Sequence, residues 1–184
     1  MSGFAIALYI PWADSNLGFL PLATSLILAV FLLYSISLAY KNNLRLPVVA
    51  WLIDISERRE VIKHSPARGA LMFLIGSALA VLLFEPPIAA SAVAVLALGD
   101  AFSTLAGRRY GTLSIPYNPE KSIQGSLAGL AAAFFGAAVI LPPPYALLAA
   151  AAGMVGESLP LKIDDNVVIP MFSGAAVSVA TLIG

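Results

Sequence analysis

Apolar residues run along this chain in six blocks, each closed by prolines, glycines or charges: Leu17 to Tyr40, Gly69 to Phe84, Pro87 to Ala106, Ile123 to Leu141, Tyr145 to Leu159 and Val167 to Ile183. None alternates strictly as a barrel strand would. The blocks therefore predict helices, the one open structure that satisfies its own backbone hydrogen bonds in hydrocarbon. A bilayer core of about 30 Å takes roughly 20 residues per helix, so the second and fifth blocks are short. Small residues crowd the last four, as in "SLAGLAAAFFGAA" and "LLAAAAGMVG", and let helix backbones approach closely. The expectation is all-α: a single membrane domain over residues 1–184 with about six transmembrane helices.

Residues 41–68 break this pattern. Val48, Trp51, Leu52 and Ile55 recur at helical spacing, Asp54, Glu57, Arg58 and Arg59 lie among and after them, and Pro47 suits a first helical turn. The segment predicts an amphipathic helix resting on a membrane surface. The start, "MSGFAIALYIPWADSNLGF", lacks a basic leader region and reads as mature sequence, with Tyr9 and Trp12 near a headgroup interface.

Composition strengthens the membrane reading. Hydrophobic residues make up 60% of the 184, charged residues 11%, and the mean hydropathy is +0.92, far from a soluble domain. The absence of cysteine excludes disulfides, thiolate metal sites and a cysteine nucleophile. The net charge is zero, but its distribution is informative. All ten Lys and Arg lie in Lys41 to Arg68, Arg108 to Lys121, and Lys162. Six spans place those stretches on one face, which the positive-inside rule makes cytoplasmic. The opposite face would carry Asp14, the turns "FEPP" and "LPPPY", both termini, and no Lys or Arg.

The candidate chemistry sits on the basic face. Asp100 lies in an apolar block about two turns before Arg108, and an ionisable group there is costly unless it pairs or binds an ion. Pairing with Arg108 or Lys121 is the structural alternative. Asp100, Glu157, Asp164 and Asp165 offer the oxygen ligands that Mg²⁺ prefers. Arg108, Arg109 and Lys121 offer the opposite charge, with guanidinium able to grip phosphate bidentately. "KSIQGS" puts Lys121 and Ser122 at a helix start with Gly125 allowing close approach, and helix starts attract anions. These groups together suggest a metal and polyphosphate site, although no Walker P-loop is present. "IDDN" also reads as a helix cap before Val167. His64, the single histidine, has no partner in the pattern and reads as a surface residue.

"LALGDAFSTLAGRRYG", "PYNPEKSIQGSLAG" and "ESLPLKIDDNVVIPM", in this order, resemble the CTP-dependent lipid kinases, the family of dolichol kinase, phytol kinase and the yeast-type diacylglycerol kinase. The likeness runs from about Gly69 to Gly174. It implies transfer of the terminal phosphate of CTP, with Mg²⁺, to the hydroxyl of an isoprenoid alcohol such as dolichol, a polyprenol, geranylgeraniol or phytol. On that reading Asp100, Lys121 and Asp165 are catalytic. Arg108, Arg109, Lys121, Ser122 and Gly125 hold the nucleotide phosphates, and Asp100, Glu157, Asp164 and Asp165, with Asn166 beside them, form the metal site. An R-K-x-x-H element common in the family is altered here, because Glu60 and Val61 stand where its basic pair would align with His64. The expected partners are CTP, a lipid alcohol and membrane lipids, with no nucleic acid. A lipid cytidylyltransferase would share the nucleotide and metal but release pyrophosphate. A small transporter would place polar residues deep in several spans, whereas here the charges gather at one face.

Overall fold

A computed structural model of the chain describes residues 2–41 and 67–183. Its described residues form helices α1 (Ser2–Leu17), α2 (Phe19–Lys41), α3 (Arg68–Leu83), α4 (Pro86–Val95), α5 (Ala101–Tyr110), α6 (Ile123–Ala138), α7 (Pro143–Ser158) and α8 (Asp165–Ile183). A π-helical turn, Leu96–Asp100, joins α4 to α5, making one helical run of 25 residues from Pro86 to Tyr110. The all-α expectation holds, with one addition. A short antiparallel ribbon, β1 (Ser114–Ile115) and β2 (Asn118–Ser122), precedes α6.

Among the described residues, three helices are long and apolar enough to cross a membrane: Phe19–Leu38, Pro86–Tyr110 and Asp165–Ile183. Helices α3 and α6 are apolar but have 16 residues each, which at 1.5 Å per residue gives about 24 Å. The Pro86–Tyr110 run is the centre of the assembly, 61% buried within the protein against 17% for the N-terminal Phe19–Leu38. Alanine and valine explain that centrality: Ala89, Ala90, Ala92, Val93, Ala94 and Val95 are wholly buried, and their small side chains admit neighbours on every side.

Helix α1 departs from the expected interfacial segment. Ala7, Ile10 and Ala13 recur every third residue and are wholly buried, so this stripe seats α1 along α4. Pro11 falls inside the helix. Gly18, at φ +84, ends α1 in the left-handed conformation that glycine adopts without steric cost, and its N–H bonds to the Asp14 carbonyl at 3.0 Å. The predicted amphipathic helix over 41–68 lies almost wholly outside the described residues, as do Arg58, Arg59 and His64.

Helix α8 packs along α7 and α3. Buried Ser173 is satisfied by the Ala149 carbonyl at 2.9 Å. Gly76 of α3 touches the Asn166 backbone so closely that a Cβ there would overlap its carbonyl oxygen. This contact sets the height of the α8 N-terminus, and with it Asp165.

Candidate functional site

The ends of four helices and the ribbon converge where the three sequence motifs meet. Asp100 ends the π-helical turn, a one-residue widening of the helix that occurs often at functional sites. Glu157 lies in the last turn of α7, 1% exposed. Asp165 opens α8, and Lys121 comes from β2. One oxygen from each of Asp100, Glu157 and Asp165 lies within 4.8 Å of the others. The Lys121 ammonium donates to Glu157 Oε1 at 2.5 Å and to Asp165 Oδ2 at 2.7 Å. Burial lowers the pKa of Lys121, but its hydrogen bonds to Asp165 and Glu157 outweigh that and hold it above the usual lysine range. The group therefore stays cationic.

Ser103 lies one turn after Asp100, on the same helix face. Its hydroxyl is 3.1 Å from Glu157 Oε1 and 3.1 Å from the Asp100 carbonyl. Glu157 Oε1 is thus held by Lys121 and Ser103. Its second oxygen, Oε2, is buried with no hydrogen-bond partner among the described residues. A buried carboxylate oxygen left alone is costly and calls for a cation or donor.

Two polar cavities meet at Lys121. One, of about 360 Å³, is lined by Gly107, Arg108, Ser122, Gly125, Lys121 and Glu157 among others. The other, of about 600 Å³, is lined by Asp100, Asn118, Lys121, Asp164, Asp165 and Asn166 among others. Pro119, Glu120 and Lys121 of β2 border both.

Some predicted residues stand apart from this centre. Asp164 caps α8: its Oδ1 accepts from the Asn166 backbone N–H at 3.2 Å and side-chain amide at 2.8 Å, and its Oδ2 lies 3.8 Å from Arg68. It borders the larger cavity without joining the three clustered carboxylates. Arg109 is exposed and lies over the Tyr110 ring at 5.7 Å, whereas Arg108 lines the smaller cavity. Ser122 caps α6, accepting from the Gly125 N–H at 3.1 Å, and the Ile123 N–H is taken by the Leu113 carbonyl at 2.9 Å. Two amides of the α6 start are therefore committed inside the chain, a narrower anion site than a free helix start would give.

Several positioning residues were not singled out from sequence. Asn118 donates to the Ser158 carbonyl at 3.0 Å. Tyr117 meets the Ser158 hydroxyl at 3.0 Å, and since that hydroxyl donates to the Val155 carbonyl, Tyr117 is the donor. These bonds pin the ribbon to the end of α7 beside Glu157. Gln124 fixes the loop before β1, its Oε1 accepting from the Thr112 and Leu113 N–H groups at 3.3 and 3.2 Å. "PYNPEKS" carried Asn118 and Tyr117 in view, but only the fold shows what they reach.

This is a helical, membrane-type protein whose site pairs a carboxylate cluster with a lysine and an arginine-rimmed cavity, a donor set suited to a divalent cation beside a polyphosphate. Comparison with known proteins finds lipid-alcohol kinases among the relatives. The chain is 39% identical over 69 residues to a probable phytol kinase 1 of Glycine max, covering 36% of this chain and 23% of that protein. It is 28% identical over 149 residues to phytol kinase 1 of Arabidopsis thaliana, covering 71% of this chain and 49% of the relative. A farnesol kinase of the same plant is 36% identical over 81 residues, 43% of this chain and 24% of the relative. The resemblance to lipid-alcohol kinases is thus borne out, although the matches span about half or less of these curated relatives. No family model and no solved structure matches the chain.

Proposed function

We propose that the chain is a membrane kinase that transfers the terminal phosphate of a nucleoside triphosphate, CTP by family resemblance, to an isoprenoid alcohol. One observation carries this reading: Asp100, Glu157 and Asp165 gather around Lys121 at the wall between an arginine-rimmed cavity and an acidic one. The names of the relatives, phytol kinase and farnesol kinase, supply the acceptor class. The three carboxylates and the unpartnered Glu157 Oε2 fit a hard cation such as Mg²⁺. When bound there, the cation would neutralise charge on the phosphate oxygens.

The chain's own residues divide the work. Arg108 and Lys121 bind and orient the triphosphate, leaving little for the protein to do beyond positioning and charge stabilisation. Asp100 or Asp165 takes the proton as the alcohol oxygen bonds to the γ-phosphorus and the bond from that phosphorus to the bridging oxygen breaks. The products are a lipid monophosphate and a nucleoside diphosphate. The membrane arrangement belongs to the proposal: six spans formed by α2, α3, α4 with α5, α6, α7 and α8, the site on the cytoplasmic face and the Ile183 end opposite. Packing of α1 along α4 as an additional helix removes the basis for placing the Ser2 end on the far side.

The test is purified protein with labelled CTP or ATP and a panel of geranylgeraniol, phytol, dolichol and diacylglycerol. The expected result is a lipid monophosphate with release of nucleoside diphosphate. Pyrophosphate release, or no phosphorylated lipid from any donor, overturns it.

A further inference from the structure

Beside the two polar cavities lies a third of different character, an apolar groove of about 420 Å³ between α6 and α7 under the ribbon. Ile123, Leu127 and Leu130 line it from one face of α6, and Ala151, Met154 and Val155 from one face of α7. Its polar residues are Tyr117, Ser126 and Ser158. Tyr117 also lines the cavity of Asp100 and Asp165, and Ser126 also lines the cavity of Arg108 and Lys121. The groove therefore borders both halves of the polar centre, with Tyr117 and Ser158 hydrogen-bonded at the junction.

We infer that this groove seats the hydrocarbon chain of the acceptor alcohol, with the hydroxyl end at Tyr117 and Ser126 facing the carboxylates and the phosphate cavity. The inference rests on the kinase reading for its occupant. A long apolar molecule with one terminal hydroxyl needs an apolar run that opens into a polar end; the smaller polar cavity has none, and the apolar residues of the larger, Leu159, Pro160, Leu161 and Ile163, come from the loop between α7 and α8, whereas the third groove runs along two helix faces. Leu127 and Val155, 61% and 56% exposed, leave the groove open along its side, so the chain enters from the bilayer and its tail never crosses water. Met154, nearly buried, closes the floor against Gly99 and Gly129, and its unbranched thioether adapts to a branched chain. Ala151 lies seven residues before Ser158, about 10 Å along α7, where only a chain longer than one isoprene unit reaches.

Steady-state kinetics of Ala151→Phe with the five-carbon prenol and the twenty-carbon geranylgeraniol test the placement. KM for geranylgeraniol is expected to rise about tenfold, an effect of ~1.4 kcal/mol, with kcat/KM for prenol and KM for the nucleotide unchanged. Equal effects on both alcohols, or none on either, overturn the inference. Wild-type protein with a geranylgeraniol analogue bearing a diazirine near its tail gives a readout independent of activity and of the variant's folding. Labelling of α6 and α7 around Leu130 and Ala151, displaced by geranylgeraniol but not by phospholipid, is expected. Labelling elsewhere, or equal displacement by phospholipid, shows an ordinary lipid-covered surface. If no alcohol is phosphorylated, the kinase reading falls, and the labelling alone decides the groove.

Discussion

The two cavities that meet at Lys121 are built from opposite materials. The smaller is walled mostly by glycine, serine and threonine, with Arg108 and Lys121 as its cations and Glu120 and Glu157 as its two carboxylates. The larger draws Asp100 from the π-helical turn, Asp165 from the start of α8 and Asp164 from the cap before it. One lysine serves both, and its ion pairs with Glu157 and Asp165 keep it charged at the boundary. The contrast teaches that the site separates an anion side from an acidic side by a single strand, β2, so disturbing Lys121 should affect both while other changes affect one.

The sharpest way to break the comparison is to remove the shared group. Lys121→Ala leaves Glu157 buried without its cation, and Asp100→Asn removes one of the three clustered carboxylates. Each is expected to lower kcat by about 10³-fold, comparable to losing a preorganised charge-stabilising group. Single-turnover phosphoryl transfer checks this, with circular dichroism confirming retained helix content. Wild-type rates in both variants would move the chemistry elsewhere.

Asp164 and Asp165 sharpen the acidic side, because they are adjacent in sequence yet differ in role. Asp165 is the first residue of α8 and reaches Lys121 at 2.7 Å, whereas Asp164 lies just outside the helix and caps it. Asp165→Ala is expected to cost about 10²-fold in kcat. Asp164→Ala is expected to lower stability by ~1 kcal/mol through the lost cap, with kcat within about threefold of wild type. A thermal melt alongside the assay separates the two, and reversed behaviour would reassign the pair.

That pair also marks the limit of what the sequence could tell. The helical blocks were legible because length and hydropathy decide them, and the meeting of the three motifs was legible because helices joined by short connections run back and forth and bring the motifs together. Which of two neighbouring aspartates enters the cluster was not, since it depends on the height of α8, set by the contact of Gly76 with Asn166. Helix α1 was hidden because Pro11, Trp12 and Asp14 interrupt its apolar run, while packing needs only the narrow stripe of Ala7, Ile10 and Ala13. The ribbon was hidden because its hold is distant: Tyr117 and Asn118 reach Ser158, some forty residues on.

The anion side is tested most gently at Gly125. A Cβ there would stand 2.7 Å from the Ser103 carbonyl oxygen, 2.9 Å from Ser122 Oγ and 3.1 Å from the Gly107 Cα, so α5 and α6 must move apart in Gly125→Ala. Overpacking of this kind costs roughly 1–3 kcal/mol, and the shift falls first on the wall holding Ser122 and Arg108, reaching the carboxylates only through Ser103, which donates to Glu157. The expected outcome is a nucleotide KM raised about tenfold, or ~1.4 kcal/mol, with KM for the alcohol unchanged. A variant that instead lost affinity for the alcohol alone would show that the smaller cavity does not hold the phosphates, and the division at Lys121 would have to be redrawn.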